Sequence, residues 1–356
     1  MKTPAGRPED DPALRPILLR SDAGVEAEVL PFGATLARLR VPDREGCPGD
    51  VVLSLATPAD HLGNHPHVGA TAGRYANRIG GASFTLDGRR HALPANDGPH
   101  HLHGGPRGLG RRPWRELERF ALPGGAGVRL GIESPDGDEG HPGAVSVRAC
   151  YALDAAGALH VEYHATTDAP TVLSLASHAY FHLDDGGASS VLDHRLWLRA
   201  SRYAPVDASG LPTGTLEPVA GTPFDFTRPR ALGERIEALV ALRGGYDHPF
   251  ALDAPGELAL PAARLAAPRS GRVLTVRTTQ PCLQLYTGNF LDGTLPCRDG
   301  VRPRRWGAVC LEAQAFPNAP NEPRFPSARI APGQPYHHTT VYEISVDPRA
   351  RAERPS

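Results

Sequence analysis

The side chains with the most chemistry to offer are imidazoles: the chain of 356 residues carries 16 histidines, while its 38 basic and 39 acidic groups nearly cancel. Imidazole serves both metal binding and proton transfer near neutral pH, and spacing helps to separate the two. His178 and His182 stand four apart, after Val172-Leu173-Ser174-Leu175 and before Asp184-Asp185-Gly186-Gly187, a context that reads as strand, then turn. Four residues of strand span about 13 Å, whereas zinc holds each nitrogen at about 2.1 Å, so the two cannot share an ion without a bulge. His65 and His67 flank Pro66 and could chelate, and His100, His101 and His103 form another group. No H-E-x-x-H or carboxylate-bearing motif accompanies either, and no metal is expected.

Acid–base and binding work remain. Alternation along Ser177-His178-Ala179-Tyr180-Phe181-His182 places His178, Tyr180 and His182 on one sheet face. His103 precedes Gly104-Gly105, where missing side chains let a ligand approach the backbone. Arg74 and the pair Asn77-Arg78 sit in a glycine-bounded segment, and Asp247-His248 follow Gly244-Gly245. Glu312 interrupts the apolar run Val309-Cys310-Leu311 and points opposite to Leu311; such a carboxylate is paired, solvated at an edge, or functional.

Strands must position these groups. Val145, Val147, Ala149, Tyr151 and Leu153 alternate with more polar neighbours, and Asp154 to Gly157 turn the chain into Leu159, Val161, Tyr163 and Ala165, a long antiparallel hairpin. A second hairpin is read at Phe84-Thr85-Leu86 and Arg89 to Leu93, where Asp87-Gly88 supplies the positive φ of a two-residue turn. Further strands are expected at 51–55, 171–176, 273–279, 282–287, 309–313 and 339–346, and the best helical stretch is Leu232 to Leu242. The fold class read from this pattern is all-β, an antiparallel sandwich. One domain over 15–347 is expected, with flexible tails at 1–14 and 348–356.

Composition removes several chemistries. Lys2, in a terminal segment that nothing in the sequence holds in place, is the only lysine, which argues against Schiff-base catalysis, and a G-x-x-x-x-G-K-[ST] phosphate loop cannot be written anywhere in the chain. Cys47, Cys150, Cys282, Cys297 and Cys310 are odd in number and widely spaced, which reads as reduced thiols rather than a disulfide framework. A formal charge of -1 gives no field for nucleic acid or an anionic membrane. No apolar run approaches the roughly 20 residues of a membrane span, and a cytoplasmic location is expected.

Taken in order, the motifs resemble the aldose 1-epimerase (galactose mutarotase) family. They run from Gly73-Arg74-Tyr75-Ala76-Asn77-Arg78-Ile79 through Asn96, Leu102-His103-Gly104-Gly105 and Ser177 to Leu183. Pro205-Val206-Asp207, Pro212-Thr213-Gly214, Gly221 to Phe226 and Gly245-Tyr246-Asp247-His248 follow. Tyr286-Thr287-Gly288-Asn289-Phe290, Leu311-Glu312-Ala313-Gln314 and Phe316 to Asn321 complete the set, which spans about 20–346. The resemblance implies a large two-sheet β-sandwich of the galactose mutarotase-like supersandwich type, with a sugar in an open cleft and no cofactor. It implies a general base at Glu312, a general acid at His178, and a second imidazole at His103 beside the ring oxygen. It further implies sugar-hydroxyl binding by Arg74 and Asp247, with Asn77 and Gln284 in support. The partner is then a small aldose such as glucose or galactose, and the enzyme a monomer or homodimer. A sugar-phosphate 1-epimerase and a non-catalytic carbohydrate-binding protein are the alternatives. Ser177 and His182 stand where the family commonly has asparagine, and a charge on His182 would lower the pKa of His178. At neutral pH Glu312 is expected to be ionised and to help raise His178.

Overall fold

A computed structural model describes residues 11–347 and folds them into antiparallel sheets with little helix. The 9-stranded sheet runs in the order Arg115–Leu122, Gly125–Ser134, Val145–Leu153, Leu159–Thr167, Tyr336–Val346, Arg272–Thr278, Ala263–Ala266, Arg195–Leu198 and Arg230–Ala231. A 6-stranded sheet lies across the core from it: Tyr180–Phe181, Val309–Gln314, Cys282–Tyr286, Asp247–Ala251, Arg202–Tyr203 and Glu217–Pro218. A 4-stranded sheet from Ile17 to Asp50 closes one end. Residues of all three share one core: Ile17, Val29 and Leu36 meet Tyr151, Tyr163, Leu274 and Tyr342 from one side and Phe250, Leu283, Leu285, Val309 and Leu311 from the other.

Both hairpins read from the sequence are present. Val145–Leu153 pairs residue for residue with Leu159–Thr167, and Asp87 and Gly88 adopt φ 49° and 81° between Ser83–Leu86 and Arg89–Ala92. Other expectations are corrected. The 51–55 stretch makes only isolated bridges, Val52 to Phe181 and Leu55 to Cys297, and 171–176 breaks into Thr171–Val172 and Ala176–Ser177. Leu232 to Leu242 is not one helix. A non-helical Arg235 divides it into the 3-10 segments Leu232–Glu234 and Ile236–Leu239, and one α-turn, Val240–Arg243, follows. Residues 1–10 and 348–356 of the expected tails lie outside the described residues, while residues 11–14, expected to be tail, form part of the fold. Asp11 caps a 3-10 turn over Pro12–Leu14, and Ala13 and Leu14 are buried.

The 6-stranded sheet matters most for function, because the strand Val309–Gln314 is buried on both faces. Period two sends Val309, Leu311 and Ala313 into the main core and turns Cys310 and Glu312 to the opposite face. Register then assembles rows on that face. Asp247 pairs with Tyr286, Tyr286 with Cys310, and Cys310 with Tyr180; one row over, Gln284 pairs with Glu312.

Candidate active site

On this second face a cleft enclosing about 160 Å³ is lined by Pro66, His67, Asn77, Arg78, Leu102, His103, His178, Tyr180, Asp247, Tyr286, Phe290 and Glu312. That is below the range of about 300–1,000 Å³ typical for drug-sized ligands, and suits one small polar molecule. A larger hollow elsewhere is lined by Arg38, Arg40, Asp50 and Arg298. There the guanidiniums already face carboxylates, Arg38 on Asp50 at 2.8 Å and Arg298 on Glu28 at 2.6 Å, and no acid–base pair converges.

His178 sits where the chain leaves the Ala176–Ser177 strand and has not yet entered Tyr180–Phe181. Its backbone is pinned by its N–H to the Ala70 carbonyl and by the Gly69 N–H to its own carbonyl, both at 2.9 Å. The ring of Tyr180 stacks on the imidazole at 5.0 Å, and His103 meets it edge-on at 5.0 Å. One ring nitrogen, Nδ1, lies 3.7 Å from the Cys310 sulfur; the other, Nε2, lies 3.8 Å from Glu312 Oε2. This last gap is wider than a hydrogen bond. Glu312 Oε2 is buried and has no hydrogen-bond partner, so it is aimed at whatever fills the cleft.

Burial overturns the expected charge states, because a low-dielectric site disfavours the ionised form of either group. Desolvation first, then the nearby Asp247 carboxylate, pushes Glu312 up to about 8. Desolvation also takes His178 down to about 4, against a smaller opposing pull from its own carbonyl and from Asp247. The pair therefore holds one proton between these two values, and the carboxyl carries it. His182 plays no part in this. The alternation assumed for 178–182 ends at Phe181, and His182 turns away to pair with Asp185 at 3.2 Å and to meet the His194 ring at 4.9 Å.

Asp247 accepts from Arg243 at 2.7 Å and from Gln284 at 2.8 Å. Burial works to raise it, but Arg78 and Arg243 outweigh burial and hold it below the usual carboxylate range. Gln284 stands behind Asp247 rather than on the cleft wall. Asn77 and His103 are locked together, the Asn77 N–H donating to His103 Nδ1 at 3.2 Å and the His103 N–H to the Asn77 carbonyl at 3.1 Å. Gly104 makes this possible: its φ is +83°, and a Cβ there would lie 1.8 Å from the Gly73 carbonyl oxygen. The space at Gly104 is filled by the protein's own chain, while the His103 ring lines the cleft.

Like Gln284, Arg74 does not line the cleft. All its donors are spent elsewhere: Nε on Ser134 Oγ at 2.8 Å, and the two terminal nitrogens on the carbonyls of Ser134, Pro135, Pro142 and Gly143. It clamps the 134–143 loop, while Arg78, four residues on and paired with Asp97 at 2.7 Å, reaches the cleft. The residues missing from the sequence-derived set are thus Arg78, His67 and the aromatic wall of Tyr180, Tyr286 and Phe290. Phe290, 66% exposed, is the most exposed large hydrophobic side chain among the described residues.

Histidines grouped by sequence separate in space. His65 bonds the His61 carbonyl and the Val68 N–H; His100 accepts from Gly81, and His101 pairs with His141. The fold instead gathers His103, His178 and Glu312, whose donor atoms lie within 4.8 Å of one another and could hold a cation. Cys282, Cys297 and Cys310 are buried free thiols, and Cys47 is exposed. Among the described residues no helix is long and apolar enough to cross a membrane.

Residues 15–343 match the family model described as aldose 1-epimerase. Galactose mutarotase of Sus scrofa is 41% identical over 330 residues, which cover 92% of this chain and 93% of that protein. Aldose 1-epimerase of Escherichia coli (strain K12) is 36% identical over 350 residues, covering 97% and 99%. Among solved structures, an aldose epimerase homologue from C. elegans superposes with a TM-score of 0.84 at 32% identity, covering 93% of this chain and 99% of that one. Galactose 1-epimerase from Lactobacillus acidophilus NCFM gives 0.81 at 31% identity, covering 93% and 94%.

Proposed function

The chain belongs to the aldose 1-epimerase family, and we propose that its cleft interconverts the α and β anomers of a free aldohexose, glucose or galactose, with Glu312 and His178 as the working pair. It is an isomerase. The observation that carries the assignment of roles is the buried His178–Glu312 pair, 3.8 Å apart with its carboxylate oxygen unpartnered.

Ring opening breaks the C1–O5 bond and turns the C1 hydroxyl into an aldehyde. The O1 proton must leave and O5 must gain one, so the reaction moves a single proton from acid to base. O1 and O5 share the carbon C1, and a carboxylate and an imidazole side by side can reach both. Glu312 takes the proton from O1 while His178 delivers one to O5. Rotation about C1–C2 presents the other aldehyde face, and closure runs the same transfers backwards. The pair holds one proton throughout, on His178 before opening and on Glu312 after it. Burial supports the same count of one proton on the pair between about 4 and about 8 but leaves it on Glu312, so the proton passes to His178 as the sugar binds, before opening.

Asp247, Asn77 and His103 supply acceptors and donors for hydroxyls, and Arg78 takes the role first assigned to Arg74. Tyr286 and Phe290 offer faces for the apolar C–H side of a pyranose. The arginines at the cleft favour a neutral sugar over a sugar phosphate, since Arg78 and Arg243 are already paired with Asp97 and Asp247. Buried free thiols support the cytoplasmic location. Polarimetry of freshly dissolved α-D-glucose and α-D-galactose, with protein and chelator present, tests the reading. Faster approach to anomeric equilibrium is expected; an unchanged rate with both sugars overturns it.

A further inference from the structure

The outer face of the 9-stranded sheet carries a group of donors that anomer exchange does not use. Along Leu159–Thr167, Val161, Tyr163 and Ala165 enter the core, so period two turns Glu162 and His164 outward. The neighbouring strand Tyr336–Val346 buries Tyr336 in the same core and exposes His337. Register sets His164 directly opposite His337, and Glu162 opposite Thr339. The two strands are far apart in the sequence, so spacing along the chain does not group these residues.

Across the pair the two imidazoles stack with centroids 4.0 Å apart and planes 15° from parallel. Each carries Nε2 toward the next row along its strand: that of His164 lies 3.4 Å from Glu162 Oε2, and that of His337 lies 3.5 Å from Thr339 Oγ1. Because Glu162 and Thr339 face each other, both nitrogens are aimed at one spot. Neither contact is as short as a good hydrogen bond. A separation of about 3.4 Å is, however, what two ligands adopt when each sits about 2.1 Å from one tetrahedral ion. One donor atom each from Glu162, His164 and His337 lies within 4.8 Å of the others, so side-chain shifts of about 1 Å bring all three to that spacing. The His164 and Glu162 side chains are 47% and 37% exposed, so an ion can enter without opening the fold and keep water in its fourth position. The Thr339 hydroxyl stands beside that position.

We propose that Glu162, His164 and His337 form a surface site for a late first-row divalent cation such as zinc, which would clamp the last strand of the chain to Leu159–Thr167. Two imidazoles and one carboxylate suit zinc, whereas magnesium prefers oxygen ligands and retains its waters. Arg148, opposite His164 on the other neighbouring strand, adds like charge and weakens the site. The inference is independent of the sugar chemistry, since none of the three residues lines the cleft.

The test is calorimetric titration of zinc chloride into the full-length protein after metal stripping, and into His164→Gln, His337→Gln and Glu162→Gln. The wild type is expected to bind one zinc with Kd on the order of 10 µM, weaker than a closed four-ligand site, and to show no comparable uptake of magnesium chloride. Each variant should lose at least about tenfold in affinity, as removal of a ligand costs no less than removal of its supporting partner. At a hundredfold excess over Kd, zinc should raise the Tm of the wild type by about 4 °C and leave the variants unmoved. Circular dichroism and the metal-free Tm check that these surface variants fold. Absence of zinc binding, or affinity unchanged in any of the three variants, would overturn the proposal. Binding that is abolished by Glu312→Gln and survives in the His164 and His337 variants would overturn it as well, by placing the ion on the cleft cluster of His103, His178 and Glu312.

Discussion

Replacing Glu312 by glutamine should stop catalysis and stabilise the protein, and the size of the second effect follows from the site. Burial and Asp247 raise the folded-state pKa of Glu312 to about 8, against 4.5 for the unperturbed group. Between those values the folded protein keeps a proton that the unfolded chain releases, so stability falls as pH rises and levels off above about 8. At about 1.4 kcal/mol per unit, a shift of this size costs on the order of 5 kcal/mol once the plateau is reached. Glutamine cannot ionise and escapes that cost. For a chain of 356 residues, an unfolding entropy of roughly 0.7 kcal/mol/K converts it into a Tm about 7 °C higher at pH 8.5, with little difference near pH 4.5. Differential scanning fluorimetry from pH 4.5 to 9, beside polarimetry at each pH, reads both quantities. A Tm gap that does not grow with pH, or a glutamine variant that unfolds earlier, would refute the claim that Glu312 is held uncharged by its surroundings.

Three further outcomes follow from the same geometry. The kcat/KM profile of the wild type should be bell-shaped, falling below about pH 4 as the pair gains a second proton and above about pH 8 as it loses its only one; a rate that keeps climbing past pH 8 contradicts the single-proton account. His178→Asn should lower kcat by about 10²–10⁴-fold with the fold intact, measured by polarimetry and circular dichroism, and near-wild-type turnover would remove it as the acid. Arg74→Leu should cost on the order of 3 kcal/mol in denaturant unfolding, by orphaning buried carbonyls of the 134–143 loop, yet leave KM nearly unchanged, whereas Arg78→Ala should raise KM about tenfold; the reverse pattern would restore Arg74 to the sugar.

Much of this site is legible in the sequence where one local rule decides the outcome. Glu312 could be read as facing away from the core because period two along Val309–Gln314 leaves no other choice, and the long hairpin from Val145 follows from alternation and an Asp-to-Gly turn. Legibility fails where the chain leaves regular structure. Arg74 and Arg78 share one motif, and only the approach of the 134–143 loop decides which guanidinium is consumed by backbone carbonyls. Alternation groups His182 with His178, but the strand stops at Phe181. His67 resembled half of a chelating pair with His65, but the left-handed turn at Pro66-His67 sends the two rings apart. The charge states were unreadable for a different reason: a pKa belongs to the surroundings, and the burial that inverts Glu312 and His178 is assembled from segments more than a hundred residues apart.

The central claim is that Glu312 and His178 act as one unit passing a single proton. Its most direct test is a double-mutant cycle on anomer exchange, comparing Glu312→Gln, His178→Asn and the combined variant by magnetisation exchange between the α and β C1 protons at equilibrium. If the two act as a unit, each single variant loses about 10²–10⁴-fold and the double loses no more than the worse single. Losses that multiply, or a single variant that keeps near-wild-type exchange, would contradict it.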